Sequence, residues 1–143
     1  MPSGDGQGVA LELVIPNDVR YIEPVVELIR DECEAFDFPR RHRALNVPVA
    51  LSEALSNAML RGNRGRPDSA VGLHWTVDPT GLVVEIRDEG DGFDLLSSTG
   101  DPTAGAALER EDGRGLFLMR ALMDRVERFD DHGNVVRLTL LRP

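Results

Sequence analysis

VGLHWTVDPTGLVVEIRD, residues 71–88, alternates apolar residues with others on either side of Asp78-Pro79-Thr80-Gly81. Alternation with a period of two marks strands that bury one face, and Pro and Gly in a short polar break supply the turn. The stretch therefore predicts strands over 71–77 and 82–88 joined as a hairpin, which makes antiparallel pairing the basis of the sheet.

Similar patterns lie outward in both directions. VALELVI, residues 9–15, reads as a strand ending at Pro16, and VERFD and NVVRLTLLR form a second hairpin around Asp131-His132-Gly133-Asn134. Three helices fill the remaining space. The first follows the cap candidates Asn17 and Asp18 and repeats Ile22, Val26, Ile29, Cys33 and Phe36 at helical spacing, with Pro24 close to its start. The second runs over about 43–63 with Val47, Leu51, Leu55, Ala58 and Gly62 on one side, and the third over 115–126. Residues 90–115, rich in Gly, Asp, Ser, Thr and Pro, form a long connection of the kind that carries function. The expected fold class is α+β: a two-layer α/β sandwich whose mixed, mostly antiparallel sheet is covered on one face by three helices.

Composition narrows the function. The 143 residues suit one domain, expected over 9–143 behind a disordered tail at 1–8. Sixteen basic against twenty-five acidic residues give a net charge of −9, which argues against direct nucleic-acid binding. Arg40, Arg41, His42 and Arg43 read as a solvated helix start. The single cysteine, Cys33, falls on an apolar stripe as a core residue, so neither a disulfide nor a cysteine metal site is expected. No segment approaches the roughly 20 apolar residues of a membrane span, and the expectation is a soluble, cytoplasmic protein without a membrane partner.

Three motifs carry chemistry. In LSEALSNAMLRGN, residues 51–63, Glu53 and Asn57 share one side of the second helix, with Arg61 one turn further. The pair is either solvated surface or a carboxylate able to take a proton beside an amide oxygen able to hold a hard cation. In DEGDGFD, residues 88–94, Asp88 ends a strand where it can accept from an exocyclic amine, while Gly90 and Gly92 let the backbone turn and approach a ligand. In DGRGLFLM, residues 112–119, Gly113 and Gly115 precede a helix whose first N–H groups can face an anion. A flexible loop start and a tight turn are the plain alternatives for the last two.

An E-x-x-x-N helix, a D-x-G-x-G turn, a long loop and a G-x-G-L helix start, in that order, resemble the Bergerat-fold (GHKL) ATPases, which include histidine kinases, Hsp90, gyrase B and MutL. SEALSNAMLRGN and GRGLFLMRALMDRVE look further like the anti-sigma-factor serine/threonine kinases of bacteria. The resemblance implies ATP and Mg²⁺ as cofactors, with Glu53 as general base, Asn57 holding Mg²⁺, Asp88 reading adenine, and Gly90 and Gly92 shaping the adenine pocket. It places Gly113, Arg114, Gly115 and Leu116 on the phosphate side, 93–112 as a lid, and Arg110 as a lid arginine reaching the γ-phosphate. Many relatives carry His where this chain has Arg61, which could pair with phosphate or with Glu53. The implied partners are a sigma factor, a STAS-domain anti-anti-sigma factor and a second copy of the chain. Two other readings stay open: a kinase-inactive sequestering module, and a histidine-kinase-type ATP-binding domain, against which His42, His74 and His132 lack a phosphorylatable helix setting.

Overall fold

A computed structural model describes residues 8–90 and 115–143. Five strands, β1 (Val9–Pro16), β2 (Ala70–Asp78), β3 (Gly81–Arg87), β4 (Arg125–Asp130) and β5 (Asn134–Leu141), form one sheet in the order β1-β2-β3-β5-β4. Both predicted hairpins are present. Every pairing among the described strands is antiparallel, which sharpens the mixed, mostly antiparallel expectation. Asp78 and Gly81 pair directly, leaving Pro79 and Thr80 as a two-residue turn, and Asp78 Oδ1 accepts from the Thr80 N–H at 2.7 Å.

Register sorts the two faces. Leu11, Trp75, Val84 and Leu138 share one cross-strand row, and Leu13, Leu73, Ile86 and Val136 the next. Trp75, Leu73, Val84, Ile86 and Leu138 of these rows meet α1 (Ile22–Ala35) and α2 (Val47–Asn57) in a single core, with Leu13 and Val136 packed against it. The opposite face carries a polar row, Glu12, His74, Glu85, Arg137 and Glu127. Within it Arg137 Nε bonds Glu85 at 2.8 Å, and the guanidinium lies 4.8 Å from the Phe129 ring centroid. The described helices thus cover one face of the sheet.

Asp18 caps a short 3-10 turn, Val19–Tyr21, by accepting from the Arg20 N–H at 2.9 Å, and α1 then begins at Ile22, so Pro24 sits in its first turn, where a missing N–H costs nothing. Val25, Val26, Ile29 and Cys33 are buried, with Ile22 and Phe36 packed against them. Burial pushes the Cys33 thiol up to about 12, as befits an inert core residue.

The predicted second helix is longer than α2 itself, because π turns at His42–Asn46 and Ala58–Gly62 flank it. All five of its predicted core positions are buried. The third helix, α3, is helical over residues 115–122, short of the predicted 126. Cross-strand pairing overrides helix propensity there. The Asp124 N–H donates to Thr139 O at 2.8 Å, its carboxylate accepts from the Leu141 N–H at 2.6 Å, and Val126 pairs with Leu138 in β4. Among the described residues no helix is long and apolar enough to cross a membrane.

Candidate functional site

Glu53 and Asn57 stand one turn apart on α2, partly exposed, while Leu51 and Leu55 on the other side are fully buried. The first described residue of α3, Gly115, comes directly onto this pair. A Cβ at Gly115 would lie 2.7 Å from Glu53 Oε1 and 3.5 Å from Asn57 Nδ2, so a side chain there would press on the carboxylate. Asn57 Nδ2 is itself buried without a hydrogen-bond partner among the described residues. Buried polar atoms are normally paired, so this amide is open to a group that the described residues do not supply. The two ends of an amide exchange by a half-turn, which leaves either one free to face that group.

Directly after Asn57 the helix widens, and the Asn63 N–H closes the π turn on Ala58 O at 2.8 Å. Such a turn shifts the helical register, and it brings the backbone of Gly62 against the carboxylate of Asp88, just beyond the end of β3. Gly90 lies in turn against the Gly62 carbonyl. Asp88 is 7% exposed. Its Oδ1 accepts from the Gly90 N–H at 2.8 Å and from Asn134 Nδ2 at 3.4 Å, and its own N–H donates to Asn134 O at 3.0 Å. Burial pushes its carboxyl above the ordinary aspartate value, opposed by those hydrogen bonds. Oδ2, not engaged by these two donors, lies against Gly62.

The structure therefore brings Glu53, Asn57 and Gly115 into one group, and Asp88 and Gly90 into a second at the C-terminal end of the same helix. Arg61 is partly exposed in the π turn between them, and Leu116 is partly buried against the core. Gly92, Arg110, Gly113, Arg114 and the predicted lid over 93–112 lie outside the described residues. Gly62, Asn63, Gly133 and Asn134, which surround Asp88 and its neighbours, were not anticipated as site residues. One signal was legible: a glycine inside a helical pattern costs about 1 kcal/mol and often marks a close approach.

Among the described residues no cluster of three or more His, Cys, Asp or Glu could hold a metal. A Mg²⁺ site that draws on Asn57 would not need one, since that ion takes one or two protein oxygens and otherwise water and phosphate.

Residues 15–140 match the family described as histidine kinase-like ATPase domain. An anti-sigma F factor of Halalkalibacterium halodurans is 33% identical over 91 residues, covering 62% of each chain. A serine-protein kinase RsbW of Listeria monocytogenes is 30% identical over 99 residues, 66% of this chain and 63% of that one. The match thus spans less than two thirds of those two relatives' lengths. An anti-sigma F factor of Bacillus cytotoxicus is 30% identical over 105 residues, 71% of each. A crystal structure of RsbU and RsbW domains from Mycobacterium tuberculosis superposes with a TM-score of 0.61 at 17% identity, over 94% of this chain and 33% of that one, a likeness of fold. On its fold and on the match across residues 15–140, the chain belongs to the histidine kinase-like ATPase domain family.

Proposed function

We propose that the chain is an anti-sigma factor with ATP-dependent serine/threonine kinase activity, which binds a sigma factor and phosphorylates a STAS-domain anti-anti-sigma partner to regulate transcription. The observation that carries this reading is the buried, unpartnered amide of Asn57 beside Glu53 and under Gly115, on the helix that also meets Asp88. An acid, an amide and a helix start on one side of a helix, with a buried carboxyl near its end, match the demands of phosphoryl transfer from an adenine nucleotide, which are positioning and charge stabilisation. The names of the relatives, anti-sigma F factor and serine-protein kinase RsbW, point the same way.

In this reading Glu53 accepts the proton of the attacking serine or threonine hydroxyl, and Asn57 contributes a neutral oxygen ligand that does not repel phosphate. Mg²⁺ bound there would neutralise charge on the phosphate oxygens. Asp88 accepts a hydrogen bond from the adenine amine, with Gly90 and Gly92 assigned to shaping the adenine pocket. Gly113, Arg114, Gly115 and Leu116 lie on the phosphate side, with Arg61 and Arg110 as candidate phosphate cations. The working form is a cytoplasmic homodimer.

Incubation with γ-labelled ATP and a STAS-domain protein tests the reading. Label on a serine or threonine of that partner is the expected result. Tight association without label would instead identify a sequestering module that uses nucleotide only as a switch.

A further inference from the structure

Asn63 is fully buried, and its amide reaches three separate segments at once. Oδ1 accepts from the Glu89 N–H at 2.7 Å, while Nδ2 donates to Ala70 O at 2.8 Å and to Asn17 Oδ1 at 3.1 Å. Each partner is anchored in its turn. Asn17 Nδ2 donates to Met59 O at 3.2 Å and Arg66 O at 3.0 Å, and the Ala70 N–H donates to Glu89 Oε2 at 3.1 Å. The network ties the end of the second helix to the chain after β1, to the start of β2 and to the peptide between Asp88 and Gly90.

Glu89 N is the amide that follows Asp88, so holding it fixes the direction in which the Asp88 backbone leaves β3. Nothing in phosphate binding requires this. Glu53 and Asn57, about two turns earlier on the helix, form a separate group with Gly115 of α3, and none of the three bonds of Asn63 reaches it. We infer that Asn63 is a positioning residue for nucleobase selectivity: it orients Asp88 toward the base without touching ligand. The inference rests on the reading of Asp88 as the group that accepts from the adenine amine.

The chemistry asks for an amide. An aspartate at 63 keeps the acceptor for Glu89 N–H but turns a second oxygen toward Ala70 O and Asn17 Oδ1, where the donor was needed. An alanine removes the partner of both the Glu89 N–H and Ala70 O. In either case the segment 88–90 is freed to shift while Glu53 and Asn57 keep their helix.

The test measures affinities of the whole chain for Mg-ATP and for purine riboside triphosphate, the same nucleotide without the 6-amino group. Wild type should prefer ATP. Asn63→Asp should reduce that preference roughly tenfold, the size of one lost charge-assisted hydrogen bond, while changing affinity for the amine-free nucleotide by less than about threefold. Asn17→Ala, which removes only one support, gives a smaller loss of the same kind and serves if Asn63→Asp does not fold. Equal weakening toward both nucleotides, or an unchanged preference, would overturn the positioning role. If wild type bound both nucleotides equally, the base-reading role of Asp88 would fail, and this inference with it.

Discussion

Gly62 closes the π turn of the second helix directly against the carboxylate of Asp88, so closely that a Cβ on Gly62 would overlap the Asp88 carboxylate. Helix and strand end are joined there without an intervening side chain. The two halves of the candidate site, Glu53 with Asn57 and Asp88 with Gly90, are thereby set relative to each other by close packing.

Gly62→Ala should therefore act on both stability and binding. Overpacking of this kind costs about 1–3 kcal/mol, and the displaced Asp88 should lose at least about tenfold in ATP affinity. Chemical denaturation and calorimetry on the same variant measure the two effects. Wild-type affinity in a folded Gly62→Ala protein would contradict the close packing.

Asp88 makes a pH-dependent prediction. Its folded carboxyl is raised above the 3.8 of the ordinary group, so the fold favours the neutral form. That contribution is fully present below 3.8 and is lost as pH rises through the higher folded value. Asp88→Asn, which stays neutral, should therefore gain stability relative to the nucleotide-free wild type as pH climbs from about 3.8 toward neutrality. It should also lose ATP binding. Urea melts at pH 4 and pH 7 decide the first point; wild type gaining on the variant over that interval would reverse the sign.

Glu53 and Asn57 should separate by assay. Glu53→Ala is expected to keep ATP binding and lose about 10²- to 10⁴-fold in phosphoryl transfer, the usual effect of removing a base. Asn57→Ala should instead weaken the Mg²⁺-dependent part of binding. Labelled transfer and metal-dependent titration read them independently, and the opposite pattern would exchange the assigned roles.

The core offers a control away from the site. Trp75, 1% exposed, donates its indole N–H to Glu32 Oε1 at 2.6 Å. Glu32→Ala should destabilise by about 1–3 kcal/mol, the cost of an unpaired buried donor. Emission from the sole tryptophan reports the change, and nucleotide affinity should be unaffected.

Where one segment carries its own period, the structure was legible in advance: the hairpin around Asp78-Pro79-Thr80-Gly81 and the stripe through Val26, Ile29 and Cys33 lie where alternation and helical spacing put them. The placement of Glu53 and Asn57 on one side of the second helix was legible for the same reason. The third helix was overextended because MDRV reads as helix locally while Val126 is claimed by Leu138 across the sheet. The π turn at Ala58–Gly62 escaped because a 3.6-residue period assumes uniform winding. Asn63 and Asn134 looked like ordinary turn residues, since their partners at Asn17, Ala70 and Asp88 come from distant segments and leave no local pattern.

If Glu53, Asn57, Gly115 and Asp88 frame one site for a magnesium-bound adenine nucleotide, calorimetric titration of the whole chain with ATP and Mg²⁺ should give saturable heat at one site per chain, abolished by Asp88→Asn and retained by Glu53→Ala. A flat titration of the folded wild-type protein would contradict it.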